Sequence, residues 1–167
     1  MSKKHIFWPE YDFKTVHDIT DAIFQKYRLV LFDLDNTIAP YERPVPNEGD
    51  RGLFCRLSHL GIDFAFISNN KLCRLETYCE GTDWFYIPNA GKPSPKGVLE
   101  CIKHFGKSAG DVLCVGDQLL TDCLAAHRAG VDFCLVEPIN DRTDLFFKFK
   151  RSIERPILKK YRRTVKK

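Results

Sequence analysis

Five short apolar runs punctuate the chain, at 29–32, 62–68, 83–87, 111–115 and 131–136, each bounded by polar residues. Runs that are apolar on both faces suit parallel strands buried between layers. The segments between them carry helix punctuation. Asn47 can cap a helix that reaches Leu60, with Gly61 at its end. Ser94 and Pro95 form a cap and first turn for a helix to about Phe105, followed by Gly106. A third helix from Leu119 to Ala129 closes at Gly130, and Asn70 to Glu80 is a fourth. This alternation predicts an α/β fold: a doubly wound, Rossmann-like parallel sheet with helices on both faces.

In such sheets ligands bind beyond the carboxyl ends of the strands. The residues in that position are Asp33-Leu34-Asp35-Asn36-Thr37, Ser68-Asn69-Asn70, Gly91-Lys92-Pro93, and Gly116-Asp117-Gln118 through Asp122. Four segments far apart in the chain are thus expected to share one polar rim.

A length of 167 residues allows one domain, with a core large enough to need no metal or disulfide staple. The seven cysteines lack paired spacing and several lie in apolar runs, so they read as reduced, core-filling thiols of a cytoplasmic protein. No apolar run reaches the roughly 20 residues that span a bilayer, and the N-terminus lacks the apolar stretch of a signal peptide. Charge is split unevenly. Residues 142–167 hold eleven Lys and Arg against two acids, whereas the rest of the chain has 15 basic and 20 acidic groups. The expected organisation is a core over residues 1–141, including an N-terminal extension, and a basic amphipathic tail over 142–167. In the tail Phe146, Phe149, Ile153, Ile157 and Tyr161 form an apolar stripe opposed by Lys148, Lys150, Arg151, Lys159, Lys160 and Arg162, and Pro156 predicts two short helices rather than one.

The rim residues suggest a chemistry. In extended backbone Asp33 and Asp35 point to the same side. Asp117 and Asp122 raise the count of acids to four, with no clustered His or Cys, and such an oxygen-rich set suits Mg²⁺. Lys92 can offset the acids and grip an anionic oxygen. Ser68 offers a hydroxyl, and amides that open a helix at Asn69 and Asn70 can bind phosphate.

Asp33-Leu34-Asp35-Asn36-Thr37, then Ser68, then Lys92, then Gly116-Asp117 with Asp122, resembles the four motifs of the haloacid dehalogenase (HAD) superfamily of phosphohydrolases. Asp-Leu-Asp-Asn-Thr, Ser-Asn-Asn, Gly-Lys-Pro, Gly-Asp-Gln-Leu-Leu-Thr-Asp and the tail segment Ile153-Glu154-Arg155-Pro156-Ile157-Leu158 are similar to its family IIIA, YqeG-type phosphatases, over about residues 5 to 165. The resemblance implies Asp33 as the nucleophile, Asp35 as general acid and base, and Lys92 as the charge-neutralising catalytic lysine. It implies Thr37, Ser68 and Asn69 in phosphoryl binding. Mg²⁺ would be held by Asp33, the Asp35 main chain and Asp117, with Asp122 supporting the ion's outer shell or Lys92.

Between Thr37 and Ser68 there are 30 residues, and between Ser68 and Lys92 there are 23, enough only for a helix and a strand each. No cap domain is therefore expected, and the proline-stiffened loop 38–46 would shield the site alone. An open site suits a large or membrane-bound phosphomonoester. Relatives in this family dephosphorylate phosphatidylglycerophosphate, so the resemblance makes that lipid a candidate substrate. The basic tail could meet an anionic membrane surface, at which the protein would sit peripherally, or RNA, or simply solvent. A receiver domain would need an acceptor Asp after the third run, where Ile87-Pro88-Asn89-Ala90 has none. A non-catalytic, nucleic-acid- or ribosome-associated protein on the same fold would be expected to lack Asp33, Asp35 or Lys92, and all three are present.

Overall fold

A computed structural model describes residues 5–140 and 145–165, apart from the side chains of Phe146 and Phe147. The predicted strands form at Leu29–Phe32 (β2), Asp63–Ile67 (β3), Phe85–Ile87 (β4), Val112–Gly116 (β5) and Asp132–Val136 (β6). A further strand, β1 (Tyr11–Phe13), pairs with β6. It escapes sequence reading because a three-residue edge strand with Asp12 at its centre carries no periodic signal. All pairings are parallel, in the order β1-β6-β5-β2-β3-β4. The chain winds outward from β2 in one direction through β3 and β4, then in the other through β5 and β6. The reversal falls between β2 and β5, and the crevice beyond their carboxyl ends is where this topology admits a ligand.

The central strand is buried throughout, and its side chains alternate between two cores. Val30 and Phe32 join the core covered by α2 (Glu48–His59) and α3 (Leu72–Cys79), with Leu53, Phe54, Leu57, Leu75 and Tyr78. Leu29 and Leu31 join the core under α4 (Lys96–Phe105) and α5 (Leu124–Arg128), with Val98, Cys101, Ala125 and Ala126. These are the two helical layers expected from the sequence. A short helix, α1 (Asp21–Phe24), leads into β2. Five cysteines are buried as core fillers, but Cys55 and Cys73 are exposed on helix surfaces.

The helix ends follow local chemistry, with three departures. Asn47 caps α2 as expected, exchanging hydrogen bonds with Asp50 (2.9 and 3.1 Å). Pro95 rather than Ser94 precedes α4, while Gly106 closes it in the left-handed conformation. The start of α3 slips to Leu72 because Asn70 is already engaged, its amide donating to Ser68 Oγ at 3.0 Å. The third departure is the expected helix from Leu119. It opens with a wide π-type turn over Leu119–Cys123 before α5, since the amides of Asp122 and Cys123 both donate to the Gln118 carbonyl (3.1 and 3.2 Å).

The tail folds as a single helix, α6 (Leu145–Val165), which runs through Pro156. Proline removes one intrahelical donor, and contacts on both sides of it hold the helix together. Ile157 and Leu158 pack against the core of α4 and α5, and the Tyr161 ring meets Trp8 edge-on at 5.8 Å. The predicted stripe therefore divides. Its C-terminal half packs inward, while Phe149 and Ile153 face solvent; the side chain of Phe146 and the junction at 141–144 lie outside the described residues. The basic face is not wholly free for solvent or a partner either. Arg162 pairs with Asp12 at 2.7 Å, and Arg151 turns inward to the loop after β5. Among the described residues no helix is long and apolar enough to cross a membrane.

Candidate active site

The first segment of the site is an extension of β2. The Asp33 amide still donates to Val115 of β5 at 2.9 Å, so the side chain leaves the sheet from a fixed base. Beyond it the chain turns at once. Asn36 takes a left-handed conformation (φ 65°), which asparagine tolerates, and amides of residues 37–39 return to the Leu34 carbonyl. That turn brings the Thr37 hydroxyl back to Asp33 Oδ2 at 3.2 Å.

Lys92 arrives from the loop between β4 and α4 and is 8% exposed. Its ammonium lies 2.6 Å from Asp33 Oδ1 and 2.7 Å from Asp122 Oδ1, and it donates to the Ile67 carbonyl at 2.9 Å. Asn69 holds the lysine's backbone rather than facing open space. Its side-chain amide donates to the Lys92 carbonyl (2.9 Å) and accepts from the Lys92 amide (2.8 Å). The Ser68 hydroxyl accepts from the Asn70 amide, and the residue is buried.

Asp117 and Asp122 come from the end of β5. Gly116 is required there: a Cβ on it would stand 2.6 Å from Cβ, Cγ and Oδ2 of Asp122. Asp122 Oδ2 accepts from the Gln118 amide at 3.1 Å, which fixes the carboxylate inside the wide turn. Asp117 is fully buried, with Oδ2 taken by Arg151 at 2.7 Å and Oδ1 left without a hydrogen-bond partner.

Carboxylate oxygens of Asp33, Asp117 and Asp122 lie within 4.8 Å of one another. The side chain of Asp35 stands apart from this group. It accepts from Arg74 Nε at 2.9 Å and from Asn70 Nδ2 at 2.7 Å. Arg74 and Arg151 are the residues that sequence reading missed. Arg74 lies 39 positions from its partner and Arg151 lies 34, and neither spacing is a signal. The nearest available hint was Glu154, one of two acids in a basic segment, which is buried beside Arg151.

The electrostatics of the group are those of a site short of positive charge. Burial pushes the Asp33 carboxyl up to about 7; Lys92 opposes the shift, and Asp122 and Asp35 add to it. Asp117 is raised well above the ordinary range by burial and then by Asp122 and Asp33. Burial alone would lower Lys92, but its two acidic neighbours outweigh that and hold it above its usual value. A divalent cation would relieve this imbalance. The all-oxygen donor set and the orphaned Asp117 Oδ1 fit Mg²⁺.

Six parallel strands, a switch-point crevice and an acid–lysine cluster at its mouth match the arrangement of the haloacid dehalogenase superfamily of phosphatases, and the chain is similar to members of that superfamily in sequence and in fold. The HAD-hydrolase-like family matches residues 89–145. A curated relative, the probable phosphatase YqeG of Bacillus subtilis, is 29% identical over 96% of this chain and 94% of its own length. Among solved structures, a putative haloacid dehalogenase-like hydrolase from Bacteroides fragilis shares the fold at a TM-score of 0.54 and 20% identity, covering 70% of this chain and 90% of that one. A hypothetical protein from Xanthomonas campestris does so at 0.53 and 21%, covering 78% and 75%.

Proposed function

We propose that the protein hydrolyses a phosphomonoester in two steps through an aspartyl-phosphate on Asp33. In the first, an Asp33 carboxylate oxygen attacks phosphorus, the bond from phosphorus to the ester oxygen breaks, and Asp35 supplies the proton that the leaving alkoxide takes. In the second, Asp35 takes a proton from water as that water attacks the same phosphorus; the acyl-phosphate bond breaks, releasing inorganic phosphate and restoring Asp33. Lys92 neutralises charge on Asp33 and on the phosphoryl oxygens. Thr37 supports the nucleophile. Asn69 contributes by holding Lys92, and Ser68 sits at the same strand end for the phosphoryl group. Mg²⁺ would be held by the carboxylates of Asp33 and Asp117 with the main chain of Asp35, and when bound it supplies charge neutralisation at the phosphoryl group.

The observation that carries this reading is the 2.6 Å contact of Asp33 with Lys92, residues 59 positions apart, in a buried group with too many acids for one lysine. The test is hydrolysis of a panel of phosphomonoesters, phosphatidylglycerophosphate included, with and without Mg²⁺. Activity is expected that EDTA abolishes and Asp33→Asn removes. Equal turnover by that variant would refute the nucleophile.

For the substrate class we infer a phosphate ester borne on something large, with a lipid head group at an anionic membrane as first choice. Two features support it. The segments between the motifs hold only α2 with β3, and α3 with β4, so no inserted domain closes over the crevice. In addition, Leu145, Phe149 and Ile153 lie exposed at four-residue spacing on α6, beside exposed Lys148 and on the helix whose Arg151 reaches Asp117. An apolar row with flanking cations next to the site is the pattern of an interfacial helix.

A further inference from the structure

We propose that Arg151 and Glu154 are positioning residues for the Asp117 carboxylate, which makes α6 a working part of the site. The inference rests on the reading that Asp117 holds Mg²⁺. Arg151 makes two bonds to one residue: Nη2 to Asp117 Oδ2 at 2.7 Å and Nη1 to the Asp117 carbonyl at 3.0 Å. A planar guanidinium bonded to both the side chain and the main chain of an aspartate fixes the rotation of its carboxylate. Oδ1 is thereby left as the oxygen open to a cation, and it is the one that is buried without a partner.

Glu154 completes the arrangement from one helical turn away. It is 1% exposed, and its two oxygens are divided between Arg151 Nη1 (3.1 Å) and the amide of Leu120 (3.0 Å). Leu120 belongs to the wide turn that carries Asp122. One turn of α6 therefore secures both the Asp117 carboxylate and the backbone that presents Asp122. Attachment of the helix does not explain these charges. Ile157, Leu158 and Tyr161 already anchor it through apolar contact, and a buried ion pair repays little more than its own desolvation. What the pair adds is orientation, the task of groups that stand behind a metal ligand.

The experiment is calorimetric titration of the metal-free, full-length protein with Mg²⁺ alone, with thermal melting of the same samples in EDTA. Arg151→Ala is expected to weaken Mg²⁺ binding on the order of 10–100-fold, the usual effect of losing such a group. Arg151→Lys should recover only part of this, and Glu154→Gln should show a smaller loss. Thr164→Ala, an exposed change on the same helix, should bind as the unaltered protein does. A residue that merely holds the helix would lower the melting temperature and leave the affinity of the folded protein alone. If Arg151→Ala does not fold, Arg151→Lys and Glu154→Gln carry the measurement. Unchanged or tighter Mg²⁺ binding in the Arg151 variants overturns the inference while leaving the metal site standing. Absence of Mg²⁺ binding by the unaltered protein removes the site itself and the inference with it.

Discussion

Gly116→Ala is the smallest change that should disturb the site without touching a charged group. The added methyl would stand 2.6 Å from three atoms of Asp122, well inside contact distance, and Asp122 cannot simply swing away. One of its oxygens is on the Lys92 ammonium at 2.7 Å and the other on the Gln118 amide at 3.1 Å. Overpacking of this kind costs about 1–3 kcal/mol. At about 2–4 °C per kcal/mol for a domain of this size, the melting temperature should fall by roughly 2–12 °C. Displacing Asp122 also shifts Lys92 against Asp33, and turnover should drop by up to ~10²-fold for a movement near 1 Å. The decisive measurement is a double-mutant cycle with Asp122→Gly, which removes all three clashing atoms. The stability cost of Gly116→Ala should largely vanish in that background, giving a coupling of roughly 1–3 kcal/mol, within the range seen for residues in contact. An equal cost with and without Asp122 would refute the reasoning.

Two further outcomes are expected. Because burial holds the Asp33 carboxyl near 7 and raises Asp117 and Glu154 as well, the fold favours their neutral forms. The metal-free protein should therefore lose stability as pH rises from about 5 through 7, while Mg²⁺ affinity strengthens over the same range; a melting temperature in EDTA that climbs from pH 5 to pH 7 would contradict this. Replacing the exposed Phe149 and Ile153 by serine should weaken cosedimentation with anionic liposomes while sparing turnover of a small soluble phosphate ester. Unchanged liposome binding would remove the interfacial role of α6.

The sequence exposed what depends on local pattern. The five apolar runs became strands and the segments after them converged, because burial on both faces and a polar strand end are each written in a few consecutive residues. What stayed hidden depends on distance. Asn70 and Arg74 of the β3–α3 region take hold of Asp35, and Arg151 takes hold of Asp117, through bonds between parts of the chain with no shared periodicity. Sequence spacing put Asp35 among the metal-facing acids because alternate residues share a side. In the structure the turn at Asn36 and the neighbouring Arg74 hold its side chain apart from the three clustered carboxylates, though still close enough to act on Asp33. Pro156 misled for a related reason. Its local rule forecasts a break, and tertiary contacts on either side override it.

The docking of α6 also bears on when the protein becomes competent. As a ribosome extrudes the polypeptide, the stretch bearing positions 33 to 122 emerges well before position 151. Until that arginine arrives, the Asp117 carboxylate lacks its clamp, and the ring of Trp8 waits for Tyr161. Catalytic readiness would then wait for α6 to dock, so that nascent copies without that helix in place stay silent.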